Sequence, residues 1–139
     1  MTTNKLSAAL NGIYRMPANA SVLRDAARSA GCAWVELDLK GVADKAALLD
    51  LMATELHFPE GFGGNWDALA DYMQDLSWRP ERGWVLVLQD SAGFSAAAPA
   101  AHTTLLKVLD MVAANWRRRR RVFVVLTGSP SNLPSLPGQ

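Results

Sequence analysis

Two uninterrupted apolar runs, each the length of one strand, constrain the fold of this chain more than any other feature. They are WVLVL at residues 84–88 and VFVVL at residues 122–126. A strand with one side in solvent alternates apolar and polar residues, whereas a parallel strand covered on both faces reads as a continuous apolar run. Both runs therefore predict strands of a parallel sheet that has helices on its faces.

Helical patterns lie between these runs and before them. The alternation at residues 34–39 predicts a third strand, and an amphipathic helix capped by Asp44 follows it. After the strand at 84–88, a short helix precedes a longer one, and Pro99 suits the first position of the longer helix. Strands that alternate with helices predict an α/β fold with a three-stranded parallel sheet and crossover helices in three layers.

The first 33 residues precede this pattern and can add one more strand–helix unit. Residues 13–16 read as a short strand, Ser21 is a suitable N-cap for the next helix, and Gly31 is a suitable stop. The proline-rich C-terminal end is expected to be loose. The predicted segments are an N-terminal extension packed on the core at 1–33, the main domain at 34–128 and a flexible tail at 129–139.

The loop and helix at residues 58–76 combine an apolar face with an acidic one. Asn65 is a favourable N-cap, because its side-chain oxygen can accept a free N–H of the first turn. At 100° per residue, one side of the helix carries Trp66, Leu69, Tyr72, Met73 and Leu76. The other side carries Asp67, Asp71 and Asp75. Like charges four residues apart destabilise a helix by roughly 0.2–0.5 kcal/mol per pair, so the aspartates indicate a purpose other than helix stability.

The net charge of +1 hides an uneven distribution. Residues 46–78 contain six acidic residues and no lysine or arginine, so the remainder of the chain has seven acidic residues against all 14 basic ones. Such an asymmetry can steer a basic partner toward one face of a molecule that is nearly neutral overall.

Three short motifs follow one another in the acidic segment: FPE from Phe58, FG from Phe62 and NWDAL from Asn65, with Asp71 two residues further on. In this order they resemble the barstar family, whose members are intracellular inhibitors of secreted guanyl-preferring ribonucleases. The resemblance extends over roughly residues 34–127, where the order of strands and helices also matches. It implies the barstar-like α/β fold.

The resemblance also implies a binding role without enzyme activity or a cofactor. In the family, the loop and helix plug the nuclease active site, and the helix carboxylates meet the cationic side chains that would bind RNA phosphate. The implied partner is a cationic ribonuclease or similar basic toxin, and the free protein is expected to be a monomer. Asp71 is the carboxylate best placed to enter a pocket, Asp67 is next and Asp75 is the weakest. The implied contact residues are Glu60, Gly61, Phe62, Gly64, Asn65, Asp67, Ala70, Asp71, Gln74, Asp75 and Trp78.

The chain departs from the family pattern on this surface. The best-studied member has a tyrosine at the position of Gly61 and a tryptophan at that of Ala70, and both are contact aromatics there. Trp78 or Phe62 could replace them, although Phe62 could instead fill the core. The departures leave the fold prediction unchanged, and they keep open a second interpretation, a protein-interaction module whose partner is not a nuclease.

Other chemistry receives little support from the sequence. Gly61, Gly63 and Gly64 suit turns, and they are no dinucleotide fingerprint because this loop follows a helix rather than a strand. Asp67 and Asp71 could hold Mg²⁺, yet no further ligand converges on them in sequence. The chain has no H-E-x-x-H, P-loop or nucleophile motif. We therefore predict no metal and no catalytic residue.

Five consecutive arginines, from Arg117 to Arg121, form the other charged feature. At the C-terminus of a helix, cations offset the partial negative charge of the helix, and we favour this interpretation. The alternative is a phosphate-binding patch that would make the chain an RNA-binding protein, but no aromatic platform or nucleic-acid motif accompanies it. We expect the run to lie on a different part of the fold from the acidic helix.

The remaining features concern the compartment. The single cysteine, Cys32, excludes an internal disulfide and fits a reducing environment. The first ten residues have no long apolar run behind their lysine, so they make a poor secretory signal. No stretch approaches the roughly 18 apolar residues of a membrane span. These features lead us to expect a cytoplasmic protein with no membrane contact.

Overall fold

Strands and helices alternate along the chain. A computed structural model describes residues 6–75, 81–117, 119–127 and 133–136. Its strands are β1 (Gly12–Arg15), β2 (Cys32–Asp38), β3 (Gly83–Gln89) and β4 (Arg121–Leu126). Its helices are α1 (Ala20–Ser29), α2 (Lys45–Glu55), α3 (Trp66–Asp75), α4 (Ser91–Ala97) and α5 (Pro99–Asn115), and a 3-10 turn spans Ala8–Leu10. Every pairing is parallel, in the sheet order β1-β4-β3-β2.

The predicted α/β architecture is confirmed, and the sheet has four strands, three from the main domain and one from the strand–helix unit that the N-terminal residues can add. The additional strand is β1, which pairs with β4 so that Ile13 lies in register with Val124. Helix α1 follows it but begins one residue before Ser21, with Asn19 as its N-cap, so the predicted cap is wrong. The Ser21 hydroxyl instead donates to the Asn19 side-chain oxygen at 2.7 Å within the first turn.

Helices cover both faces of the sheet. On one face, α2, α3, α4 and α5 pack against one set of alternating strand residues, such as Leu86 and Val124. On the other face, α1 packs against the opposite set, such as Val85 and Phe123. All four of these strand residues are fully buried, which explains why β3 and β4 read as continuous apolar runs.

A buried amide fastens the N-terminal segment to the rest of the sheet. Asn11, which is 1% exposed, donates from its side-chain nitrogen to the carbonyl of Ala113 in α5 at 3.2 Å. Its side-chain oxygen accepts the N–H of Val122 in β4 at 2.9 Å. A buried polar group without partners destabilises a fold, so these bonds fix where the chain enters β1.

Part of the expected flexible tail is docked. Leu136 is 3% exposed and belongs to the same apolar cluster as Leu6. The N–H of Arg15 donates to the carbonyl of Pro134 at 3.0 Å. Residues 133–136 therefore close the edge of β1 and the apolar face beside it, and the other residues of the expected tail lie outside the described ranges.

Candidate functional site

The loop before α3 takes its direction from the way α2 ends. Phe58 donates its N–H to the carbonyl of Ala53 at 2.9 Å, and His57 donates to that of Thr54 at 3.3 Å. These are the two hydrogen bonds of a Schellman motif, in which the residue after the C-cap is left-handed. His57 adopts that conformation, with φ of 56°, where glycine is the usual residue. The motif turns the chain out of α2 and brings Phe58 back onto the core.

Three aromatic rings then hold the loop against α3. The ring centroid of Phe62 lies 5.0 Å from that of Phe58 and 5.3 Å from that of Tyr72. The Tyr72 hydroxyl donates to the carbonyl of Glu60 at 3.3 Å. Of the two roles considered for Phe62, the structure supports filling of the core, because its ring is half-buried between the loop and the helix.

Two glycines of this loop have backbone conformations that suit glycine. Gly61 has φ of 97° and Gly64 has φ of 69°, as their turn role predicts. A Cβ atom at Gly61 would also lie 3.4 Å from the hydroxyl oxygen of Tyr72. A tyrosine at residue 61 would therefore require another loop conformation, and the missing contact aromatic is consistent with the shape of this loop.

Helix α3 begins as predicted, and its described residues present the two predicted faces, while Leu76 lies outside the described ranges. The side-chain oxygen of Asn65 accepts the N–H of Ala68 at 2.7 Å, which caps the first turn. Leu69 and Met73 are buried in the core. The opposite side of the helix is in solvent, where the exposed residues are Asp67, Asp71 and Asp75.

These exposed carboxylates and the neighbouring loop carboxylate form one charged region. We define the acidic surface as the side chains of Glu60, Asp67, Asp71 and Asp75, all of them exposed. None of the four has an ion-pair partner among the residues that the structure describes. The ion pairs found there lie on α1 and β2, between Arg24 and Glu36 at 3.7 Å and between Arg28 and Asp25 at 3.6 Å. The negative charge of the acidic surface is therefore not compensated by direct pairing within the described part of the chain.

A cation lies at each end of α3, an arrangement that the sequence did not reveal. The Nζ atom of Lys45 is 6.0 Å from the ring centroid of Trp66, the first residue of α3. At the other end, the Cζ atom of Arg119 is 4.5 Å from the ring centroid of Trp116. The indole N–H of Trp116 donates to the carbonyl of Met73, in the last turn of α3, at 3.1 Å.

The ends of α3 and α5 are adjacent, so the expectation that the arginine run lies on a different part of the fold is wrong. The side-chain amide of Asn115 donates to the side-chain oxygen of Gln74 at 2.6 Å. The Arg119 guanidinium donates to the carbonyl of Asn115 at 3.3 Å, and that of Arg120 donates to the carbonyl of Glu81 at 3.4 Å. The bond from Arg119 to the carbonyl at the end of α5 supports the structural role favoured from the sequence.

Most of the expected contact residues lie on or beside the loop and helix that carry the acidic surface. Exposed beside the acidic surface are Gly61, Gly64 and Asn65. Ala70 is half-buried, and Gln74 is half-buried against α5. Trp78, the other possible contact aromatic, lies outside the described residues.

The described ranges contain no group of three His, Cys, Asp or Glu residues that could hold a metal ion. Within the same ranges, no helix is both long enough and apolar enough to cross a membrane. Burial raises the pKa of the Cys32 thiol, which keeps the thiol protonated and weakly nucleophilic. The chemical groups that the acidic surface presents to solvent are its four carboxylates.

A protein-family model described as Barstar (barnase inhibitor) matches residues 32–128. A search of curated proteins found no match. The matched range runs from the start of β2 to just beyond β4, so it contains the entire acidic surface, whereas β1 and α1 precede it. Since the family model covers most of the chain and the fold agrees with it, this protein belongs to the barstar family.

Proposed function

We propose that the protein inhibits a cationic ribonuclease by covering its active site with the acidic surface. Membership of a family described as barnase inhibitors supports an inhibitory role. The observation that carries the proposal is the charge arrangement on α3, where three exposed aspartates have no ion-pair partner among the described residues. Such a surface attracts a partner whose own site is built for negative charge.

The proposed mechanism is occlusion, with no chemical step and no cofactor. Carboxylates of the inhibitor stand in for RNA phosphates in the active site of the nuclease. Asp71 lies in the middle of α3, so it is the carboxylate that we place inside the pocket. Asp67 is in the first turn, where the helix dipole stabilises its charge, and Asp75 lies toward the rim. The inhibitor would act in the cytoplasm of the cell that it protects.

The scaffold under α3 suits this mechanism because it is ordered before binding. Asn65 caps the helix, Leu69 and Met73 anchor it in the core, and the rings of Phe62 and Tyr72 hold the loop in place. A surface that is fixed beforehand loses little conformational freedom on binding. The interaction free energy of the carboxylates would then appear largely as affinity.

A basic partner that is not a nuclease is a second candidate, and one observation favours it. Trp and Tyr are enriched among the residues that dominate interface energies. The left-handed Gly61 and the half-buried Ala70 supply no such side chain at two positions where the family's best-studied member has one. Binding to basic proteins without inhibition of any ribonuclease would support this candidate.

The test compares Asp71→Ala with its matched control, Asp75→Ala, in binding to barnase and a panel of microbial ribonucleases. Both residues are exposed aspartates of α3, one in the middle and one in the last position. We expect both variants to fold with stability changes within about 0.5 kcal/mol, as at most surface sites. Asp71→Ala should weaken binding by roughly 2–5 kcal/mol because it leaves buried cations of the partner unpaired, and Asp75→Ala should weaken it far less.

Melting temperature, dissociation constant and ribonuclease inhibition would be measured for each variant. Association should also slow markedly as salt is raised, because charges are screened beyond about 8 Å at physiological salt, while dissociation changes less. Equal and small losses for the two variants would contradict the proposal and leave the acidic surface as a solvated helix face.

A further inference from the structure

The positive charge at the C-terminal end of α3 is held in place by specific contacts. The Arg119 guanidinium stacks over Trp116 with its Cζ atom 4.5 Å from the ring centroid, and it donates to the carbonyl of Asn115 at 3.3 Å. Stacking on an aromatic face together with a hydrogen bond restricts a side chain that is otherwise flexible. Arg119 is exposed, so this restricted cation faces solvent.

The two residues that hold Arg119 are themselves bonded to α3. The side chain of Asn115 donates to Gln74 at 2.6 Å, and the indole of Trp116 donates to the carbonyl of Met73 at 3.1 Å. Arg119 is thus connected to the last turn of α3 by two routes, one through Asn115 and the other through Trp116. A partner that covers α3 as far as Gln74 would come close to this guanidinium.

Arg119 has no carboxylate partner among the described residues. Two arginines of α1 form the ion pairs found in the described ranges, Arg24 with Glu36 and Arg28 with Asp25. A guanidinium has five N–H groups in a planar fork that matches a carboxylate. One guanidinium nitrogen of Arg119 is used on the Asn115 carbonyl, and the remaining N–H groups are available to a partner.

We infer that Arg119 belongs to the binding surface and that the partner carries a carboxylate side chain opposite it, beside its cationic pocket. This inference rests on the proposed function. A partner that was positively charged over the whole contact area would be repelled at Arg119, whereas a partner with an acidic residue there gains a charge-assisted pair. The acidic surface attracts basic partners in general, and Arg119 repels those that are also positively charged opposite it. The two together select among basic partners.

The experiment reverses the charge at Arg119. Binding should weaken if the partner has a carboxylate opposite Arg119, and it should tighten if the partner is cationic there. Arg119→Glu is compared with Arg28→Glu, which changes the net charge by the same amount on α1, at the opposite face of the sheet. Arg119→Gln removes the charge without reversing it. Binding of the full-length variants to barnase and the ribonuclease panel is measured by surface plasmon resonance at about 0.15 M salt, where screening over about 8 Å limits effects of net charge.

We expect Arg119→Glu to raise the dissociation constant at least about 10-fold, mainly through faster dissociation, as for a lost contact pair. Arg119→Gln should have a smaller effect in the same direction, and Arg28→Glu should stay within about twofold or bind slightly tighter. Thermal melts of all three variants establish that they are folded at the assay temperature.

Tighter binding by Arg119→Glu would overturn the inference, because it would mean that the partner is cationic at this position. An unchanged dissociation constant would overturn it as well, since Arg119 would then lie outside the contact. If the wild type bound no ribonuclease of the panel, the proposed function would fail and the inference with it. Binding by the wild type with no effect of Arg119→Glu separates the two, because only the inference then fails.

Discussion

Helix α1 precedes the range that the family model matches, yet its packing predicts that the domain cannot fold stably without it. Leu23 of α1 is fully buried, with 0% exposure, in the apolar cluster that contains Val85 and Phe123 of the sheet. We choose Leu23→Ala as the perturbation because it removes contacts between α1 and the sheet without touching the acidic surface.

The expected cost lies near the middle of the usual range. A Leu→Ala substitution at a buried site lowers the free energy of unfolding by about 2–5 kcal/mol. The loss is larger where the surrounding residues cannot move into the cavity. Leu23 packs on a face whose strands are fixed by pairing on both sides for β3 and β4. We therefore expect a loss of about 3–4 kcal/mol. At about 3–5 °C per kcal/mol for a chain of this size, the melting temperature should fall by roughly 9–20 °C.

Urea unfolding followed by tryptophan fluorescence and by circular dichroism would measure the loss. The matched control is Leu49→Ala in α2, which is 1% exposed on the other face and inside the family-matched range. If α1 is an integral layer, the two variants lose similar stability and each unfolds in one transition seen by both probes. A loss below about 1 kcal/mol for Leu23→Ala, or a separate early transition, would refute the reasoning.

Two further predictions concern the histidines. His57→Gly should raise the free energy of unfolding, measured in urea, by about 0.5–1 kcal/mol. A left-handed conformation costs a residue other than glycine about 1–2 kcal/mol, and the greater entropy of glycine in the unfolded chain offsets about 0.5–1 kcal/mol of that gain. A destabilised variant would instead show that the His57 side chain makes a stabilising contact. His102 is 9% exposed, its Nε2 atom has no hydrogen-bond partner among the described residues, and burial lowers its pKa. The unfolded chain therefore binds the proton more readily, so the contribution of His102 to stability should be constant above about pH 7 and fall as the pH drops below about 6.5. His102→Gln should remove this dependence, and an unchanged slope would assign it to other groups.

The sequence predicted those elements whose signal is local. Strand β3 was expected at 84–88 and spans Gly83–Gln89. The prediction was possible because a continuous apolar run of that length is typical of a parallel strand that is buried on both faces. The caps Asp44 and Asn65 were identified because a short polar side chain before an amphipathic helix has a direct mechanism. The two faces of α3 followed from helical geometry in the same way.

The parts that the sequence did not predict depend on residues distant in the chain. Nothing local to Lys45 indicates that its ammonium lies over the ring of Trp66. Nothing local to Trp116, on which Arg119 stacks, indicates its hydrogen bond to Met73 at the end of α3. The choice between two roles for Phe62 required the positions of the rings around it, Phe58 and Tyr72. The placement of β1 next to β4 was likewise undetermined, because strand composition does not state which neighbour a strand pairs with.

The strand order has a consequence for synthesis of the chain. The first strand pairs with the last, so that Gly12 lies in register with Phe123. During translation, β1 and α1 leave the ribosome long before their partner β4 exists, whereas β2, β3 and β4 pair with strands that neighbour them in sequence order. Contacts between distant segments form late because a long loop must close first. The edges of β1 and β3 that pair with β4 therefore stay unpaired until β4 has emerged, and aggregation competes with folding during that interval.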